Sequence, residues 1–287
     1  MSTAVPASFQ QLRSNLEITA LQQSTVSTRQ QNVRDAIKQG LTVKESFLTG
    51  SYKRHTMISP LKEADVDVFV VLDVSYYNAN APAALLDRVR NVLLKTYPTT
   101  PKISKNGQAV TITFTDFVVD VVPAFYRKGG GYLIPHSISG RWISTDPKAH
   151  ETVISESNAA HNGDLVPIIK MIKGWNRQVG GQLKSFYLEL LVNNVLTNVT
   201  ISNDWSGCRY IFDKGREQIK YKIADPAGLG NEMVNGLLLG SVDDAVSRFN
   251  VAYERAKSAE ALDAKGQTQN AVEEWRKVVG DYFPAYG

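Results

Sequence analysis

Apolar positions along the chain recur first at helical spacing, then at strand spacing, and then at helical spacing again. Over residues 7–39 glycine and proline are scarce; Phe9, Leu12, Leu16 and the run Ile18 to Leu21 form one stripe, and Val26, Val33 and Ile37 form a second. The spacing predicts two helices, the second capped by Ser27 or Thr28 and stopped at Gly40. Asp65–Leu72 alternates: Asp65, Asp67, Phe69 and Val71 share one face of a strand, and Val66, Val68, Val70 and Leu72 the other. Residues 78–82 read as a loop, and 83–96 as a helix through Leu85, Leu86, Val89, Val92 and Leu93. The β-branched stretch 109–125 predicts a hairpin turning at Thr115-Asp116. Lys128-Gly-Gly-Gly-Tyr132 follows as a loop and lacks the Gly-Lys-Ser/Thr ending of a phosphate-cradling P-loop.

Beyond about residue 160 the pattern is helical. Over 164–177, Leu165, Ile168, Ile169, Ile172 and Trp175 mark a core face, with Lys170, Lys173 and Arg177 on the other. Ser185–Leu196, Val242–Ala264 and Thr268–Val279 read as further helices, and Pro284 ends regular structure.

Composition narrows the function classes. The 287 residues suffice for one large domain or two modest lobes, and 43% apolar with 21% charged residues is ordinary for a globular protein. A single cysteine, Cys208, excludes a disulfide framework and a cysteine-based zinc site, and His55, His136, His150 and His161 show no ligand spacing. Without a leader-like segment or an apolar run of the ~20 residues that span a bilayer, no membrane partner and a cytoplasmic location are expected. The net charge of +4 suits an anionic ligand without demanding nucleic acid.

Two carboxylates, Asp65 and Asp67, side by side at the head of an apolar strand repel each other and resist burial, which a divalent cation would relieve. A third ligand is expected from a neighbouring strand. Asp116, at the expected turn, is one candidate; Asp120, between Val118-Val119 and Val121-Val122, is the better one, since an unpaired charge there is costly. Gly50-Ser51 would offer backbone N–H groups and a hydroxyl to a phosphate. Lys173, with Lys170 as a second, can reach a triphosphate as a point charge, although such lysines more commonly line a solvated helix face. Ser185 reads equally as a helix cap, and Phe186 as a core residue.

Together these residues resemble the nucleotidyltransferases of the DNA polymerase β-like superfamily, and within it the bacterial CD-NTases (SMODS-type), relatives of cGAS, DncV and oligoadenylate synthetase. Gly50-Ser51-Tyr-Lys-Arg-His-Thr56 is similar to the family's Gly-Ser turn, Asp65-Val-Asp67 to its paired metal ligands, and Val119-Asp120-Val-Val-Pro-Ala-Phe125 to its third-aspartate strand. Trp142-Ile-Ser-Thr-Asp-Pro147 resembles the segment leading to the helical lobe, and Lys173-Gly-Trp-Asn176 and Lys184-Ser-Phe-Tyr-Leu-Glu189 the helices that close over the donor nucleotide. Asp225-Pro226 with Asn231, and residues 271–284, resemble further family segments.

The resemblance implies an α+β fold: a polymerase β-like palm of mixed β-sheet and helices, plus an α-helical lobe, with the active site in the cleft between them. It places the N-terminal helices and catalytic core in 1–150 and the helical lobe in 151–287, with the first helices joining that lobe. It implies that Asp65, Asp67 and Asp120 are catalytic and hold two Mg²⁺ ions, Mn²⁺ being an alternative. It also implies that Gly50, Ser51, Lys173 and Ser185 contact phosphates and that Phe186 stacks on a base. The expected activity is cyclic oligonucleotide synthesis: a cyclic di- or trinucleotide made from ATP, or from GTP, UTP or CTP, with pyrophosphate released. The product would activate an effector protein in antiphage (CBASS) signalling. The alternatives are a template-independent transferase acting on RNA or tRNA ends or making linear oligoadenylate, and a non-catalytic nucleotide-binding module. One cysteine cannot build the zinc ribbon of cGAS and no long basic groove is evident, so a nucleic-acid activator is not supported. The end Ala285-Tyr286-Gly287 suits a conjugating or regulatory partner, with a frayed terminus as the plainer reading.

Overall fold

The computed structural model describes residues 4–100, 102–229, 233, 234 and 236–287. In chain order the first half runs α1 (Ala4–Leu16), α2 (Ala20–Gly40), β1 (Val43–Thr49), α3 (Gly50–Lys53), β2 (Asp65–Leu72), α4 (Pro82–Thr96), β3 (Lys102–Asn106), β4 (Ala109–Thr113), β5 (Val118–Tyr126), β6 (Tyr132–His136) and β7 (Arg141–Thr145). There follow α5 (Pro147–Ala160), α6 (Leu165–Gln178), α7 (Ser185–Leu196), α8 (Asp204–Gln218), β8 (Ile223–Ala224), β9 (Met233–Val234), α9 (Val242–Ala264) and α10 (Thr268–Val279). The chain divides into two compact units: a sheet unit of residues 18–152 with 225–229, and a helical unit of 4–17, 153–224 and the described residues from 233 onward.

In the sheet unit, seven strands form one mixed sheet in the order β1-β2-β5-β4-β3, with β6 joining β5 and β7 joining β6. β2 and β5 run parallel, while β1–β2, β4–β5 and β3–β4 are antiparallel. The alternation of β2 divides its residues as expected. Val66, Val68, Val70 and Leu72 join Val110, Ile112, Val119 and Val121 in a core covered by Val26, Val33 and Ile37 of α2 and Leu85, Leu86, Val89 and Leu93 of α4. On the opposite face Phe69 and Val71 pack with Ala124, Tyr132 and Ile134. That face carries the aspartates at its β2 end.

The predicted hairpin forms: the Phe114 N–H donates to the Phe117 carbonyl at 3.0 Å, and Thr111 pairs with Asp120 and Thr113 with Val118. The cap of α2 lies earlier than expected. Thr19 accepts from the Gln22 N–H while the Gln22 side chain accepts from the Thr19 N–H, a reciprocal box that starts the helix there. Ser27 and Thr28 lie inside the helix, and the Thr28 hydroxyl bonds back to the Ser24 carbonyl. Gly40 ends it as predicted. α2 belongs to the sheet unit, so of the two opening helices α1 alone joins the helical unit.

β3, β6, β7, α5 and α8 carry too weak a pattern to read from the sequence. β3 is Lys-Ile-Ser-Lys-Asn, with one buried side chain. In α8 glycine interrupts the apolar stripe because helices approach closely: a Cβ on Gly215 would lie 2.5 Å from the Phe249 ring.

The helical unit is centred on α6, where Trp175 packs against Phe212 and Phe249 at centroid distances of 5.2 and 4.6 Å. Phe9 of α1 meets Trp275 and Phe283 edge-on. Among the described residues no helix is long and apolar enough to cross a membrane.

Candidate active site

The site grows from the pairing of β2 with β5. Their parallel register sets Asp67 opposite Asp120, and the neighbouring pairings extend this into one cross-strand row: Ser104, Thr111, Asp120, Asp67 and Thr49, one residue from each of five strands. Directly paired residues share a face, so this is a polar line across the sheet. Asp65 stands two residues before Asp67 on the same face. Asp65, Asp67 and Asp120 each offer a carboxylate oxygen, and these atoms lie within 4.8 Å of one another.

The charges are uncomfortable together. Burial pushes the Asp120 carboxyl above the usual carboxylate range, the nearby Asp65 charge adds to this, and a hydrogen bond from the Thr111 hydroxyl at 2.5 Å opposes it. A cation between the three would reverse the balance by favouring the ionised forms. All-oxygen anionic donors suit hard divalent ions such as Mg²⁺, Mn²⁺ or Ca²⁺ and offer nothing to soft ones. The acidic triad can therefore hold a metal ion.

Gly50 has a second reason to be glycine besides its turn. Its φ is +68°, and a Cβ there would fall 1.7 Å from Asp67 Oδ2. The backbone after β1 thus runs directly against the carboxylate, an approach only glycine allows. Ser51 follows in α3, half-buried, and its carbonyl accepts from the N–H groups of Thr56 and Met57 at 2.9 and 3.1 Å.

Asp116, the other candidate for third ligand, lies apart in the hairpin turn. It accepts two hydrogen bonds from the Arg29 guanidinium at 2.9 and 3.1 Å, and that guanidinium stacks over Phe114 at 4.6 Å. Its role is to tie α2 to the hairpin.

The remaining predicted residues lie in the helical unit, and two of them sit differently from a solvated helix face. Lys170 is buried and donates to Glu17 at 2.5 Å. Lys173 donates to Glu189 at 3.2 Å, with 5% of its surface exposed and none of Glu189's. α6 is enclosed on both faces, with Glu17 supplying the counter-charge to Lys170 and Glu189 of α7 that to Lys173. Arg177 donates to the Tyr282 hydroxyl. Ser185 is exposed as the first residue of α7; the cap position is Lys184, without a side-chain cap bond, so Ser185 is not the cap. Phe186 is half-buried. Asp225 accepts from the Ala227 N–H and lies 2.6 Å from His150 Nε2, while Asn231 is outside the described residues.

Sequence reasoning missed Thr111 and the steric demand on Gly50. A turn centred on residues 115 and 116 pairs 111 with 120, so the first was open to arithmetic; the second had no local signal.

Residues 1–158 match the family model described as "Second Messenger Oligonucleotide or Dinucleotide Synthetase domain". The chain is 28% identical over 295 residues to the cyclic AMP-AMP-AMP synthase of Acinetobacter sp., covering 96% of this chain and 84% of that protein. Among solved structures it superposes on E. coli MS115-1 CdnC with ATP at a TM-score of 0.78 and 19% identity, over 98% and 99% of the two chains. The same protein in complex with HORMA-deltaN gives a TM-score of 0.77 at 18% identity, over 96% of each chain. At such identities the superpositions show a shared fold.

Proposed function

The chain belongs to the Second Messenger Oligonucleotide or Dinucleotide Synthetase family, and from that membership we propose that it joins nucleoside triphosphates into a cyclic di- or trinucleotide of antiphage (CBASS) signalling. The reaction is nucleotidyl transfer: a ribose hydroxyl, giving up its proton to solvent, attacks an α-phosphorus to form the phosphodiester, and the bond from that phosphorus to the β-phosphate oxygen breaks, pyrophosphate leaving with its electron pair. Repetition and a final intramolecular attack close the ring. The observation that carries this reading is the convergence of Asp65, Asp67 and Asp120 within 4.8 Å on adjacent parallel strands.

Those three carboxylates would hold two divalent cations, Mg²⁺ or Mn²⁺, whose charge when bound neutralises the triphosphate and acidifies the attacking hydroxyl. Gly50 keeps the backbone close to Asp67, and Ser51 stands next to it for the phosphates. Lys173, Lys170 and Ser185 are assigned to phosphate binding and Phe186 to base stacking. For Lys173 this requires its ammonium to be shared between Glu189 and a phosphate. ATP is the first substrate to test, because the similar CdnC structure contains it and the Acinetobacter relative is a cyclic AMP-AMP-AMP synthase. The CdnC complex with HORMA-deltaN supports a protein partner for this chain as well.

The test is incubation of the purified protein with labelled NTPs and Mg²⁺, followed by phosphatase treatment and mass spectrometry. Phosphatase-resistant cyclic products formed from NTPs alone are expected. Linear products only would rule out cyclisation, and incorporation that needs an added RNA acceptor would point to an end-modifying transferase.

A further inference from the structure

The structure points to a residue behind the acidic triad. We propose that Thr111 is a positioning residue: its hydroxyl holds the Asp120 carboxylate in the orientation that completes the metal centre. This rests on the reading of Asp65, Asp67 and Asp120 as metal ligands.

Register places Thr111 directly across from Asp120, and its Oγ1 donates to Asp120 Oδ1 at 2.5 Å. The flanking Val110 and Ile112 are fully buried on the other face, so alternation turns Thr111 to the acidic side. The strand itself has no need of the hydroxyl, because valine has the same shape and an equal preference for β structure. What the hydroxyl supplies is a donor. An ionised carboxylate only accepts, and three of them within 4.8 Å repel one another. A β-branched side chain is stiff at χ1, so its donor is held before any ion arrives. Engaging one oxygen from the β4 side fixes the carboxylate's rotation and leaves the other oxygen for a cation. Outer-shell groups of this kind commonly change metal affinity by about 10–100-fold when removed.

The experiment measures Mn²⁺ affinity of the whole protein, from the electron paramagnetic resonance signal of the free ion, for wild type and the Thr111→Val, Thr111→Ala and Thr111→Ser variants. Asp67→Ala serves as the control, and circular dichroism establishes folding. Thr111→Val and Thr111→Ala are expected to weaken Mn²⁺ binding about 10-fold or more, while Thr111→Ser, which keeps the donor, stays near wild type. A purely structural threonine would leave affinity unmoved or would fail to be rescued by serine. Wild-type affinity in folded Thr111→Val or Thr111→Ala, or a serine variant as weak as the valine one, overturns the inference. If instead the wild type binds no Mn²⁺ that Asp67→Ala abolishes, the reading of the triad itself fails.

Discussion

Replacing Asp120 with asparagine should make the metal-free protein more stable while removing its activity. With oxygens within 4.8 Å, one like-charge pair costs about 3.5 kcal/mol at an effective dielectric of 20 and about 0.9 kcal/mol at that of water. Asp65 is exposed and Asp67 and Asp120 are half-buried, so the true figure lies towards the lower end. The desolvation that raises the Asp120 pKa acts in the same direction. The asparagine carbonyl can still accept from Thr111, so that hydrogen bond survives. A net gain of ~1–2 kcal/mol follows, or roughly 2–3 °C in melting temperature for a chain of this size. The assay is a thermal melt in EDTA and again with Mg²⁺ or Mn²⁺. The wild type should gain about 2.7 kcal/mol at a hundredfold excess of cation over Kd, whereas the variant should gain far less, so the order of stability reverses between the two buffers. A variant that melts below the wild type in EDTA, or that gains equally from the cation, would refute the electrostatic reasoning.

Gly50→Ala forces a Cβ into Asp67 Oδ2 at a positive φ; the carboxylate must move, and pyrophosphate release should fall at least ~10-fold with ~1–2 kcal/mol of lost stability. Asp116→Ala, by contrast, breaks a part-buried pair with Arg29 and should cost about 1 kcal/mol in urea melts with turnover unchanged. Lys173→Met and Glu189→Gln each break a buried ion pair. Each should cost ~3–5 kcal/mol in the same melts, whereas the paired change to Lys173→Met with Glu189→Leu should recover most of it. If the double variant is no better than either single one, the pair is not coupled as described.

Local pattern alone determined a good part of this protein. The 2.0-residue alternation of β2 assigned Asp65 and Asp67 to one face and the valines to the other, and the observed core follows that division. A turn at Thr115-Asp116 set the pairing of β4 with β5, because an antiparallel register is counted outward from its turn. Helices α1, α2, α4, α6, α7, α9 and α10 followed from apolar spacing, whereas α5 and α8 did not, and the start of α2 was set by the Thr19–Gln22 box rather than by the more obvious Ser27 and Thr28. The cost of a charge among valines singled out Asp120 as the third aspartate and the helix pattern offered Lys173 and Lys170; the resemblance motifs then included Asp120 and Lys173.

Only the tertiary structure decided what those residues meet. β2 and β5 are separated by α4, β3 and β4, so no periodicity shows that they lie side by side and parallel, which is what sets Asp67 opposite Asp120. The approach of Gly50 to Asp67 and of Glu189 to Lys173 likewise joins segments whose separation in sequence carries no signal. Periodicity reports only which way a side chain faces, since it depends on neighbours two to four residues away. What stands opposite that side chain depends on which strands and helices are packed together, and there the sheet order made three repelling carboxylates into one centre.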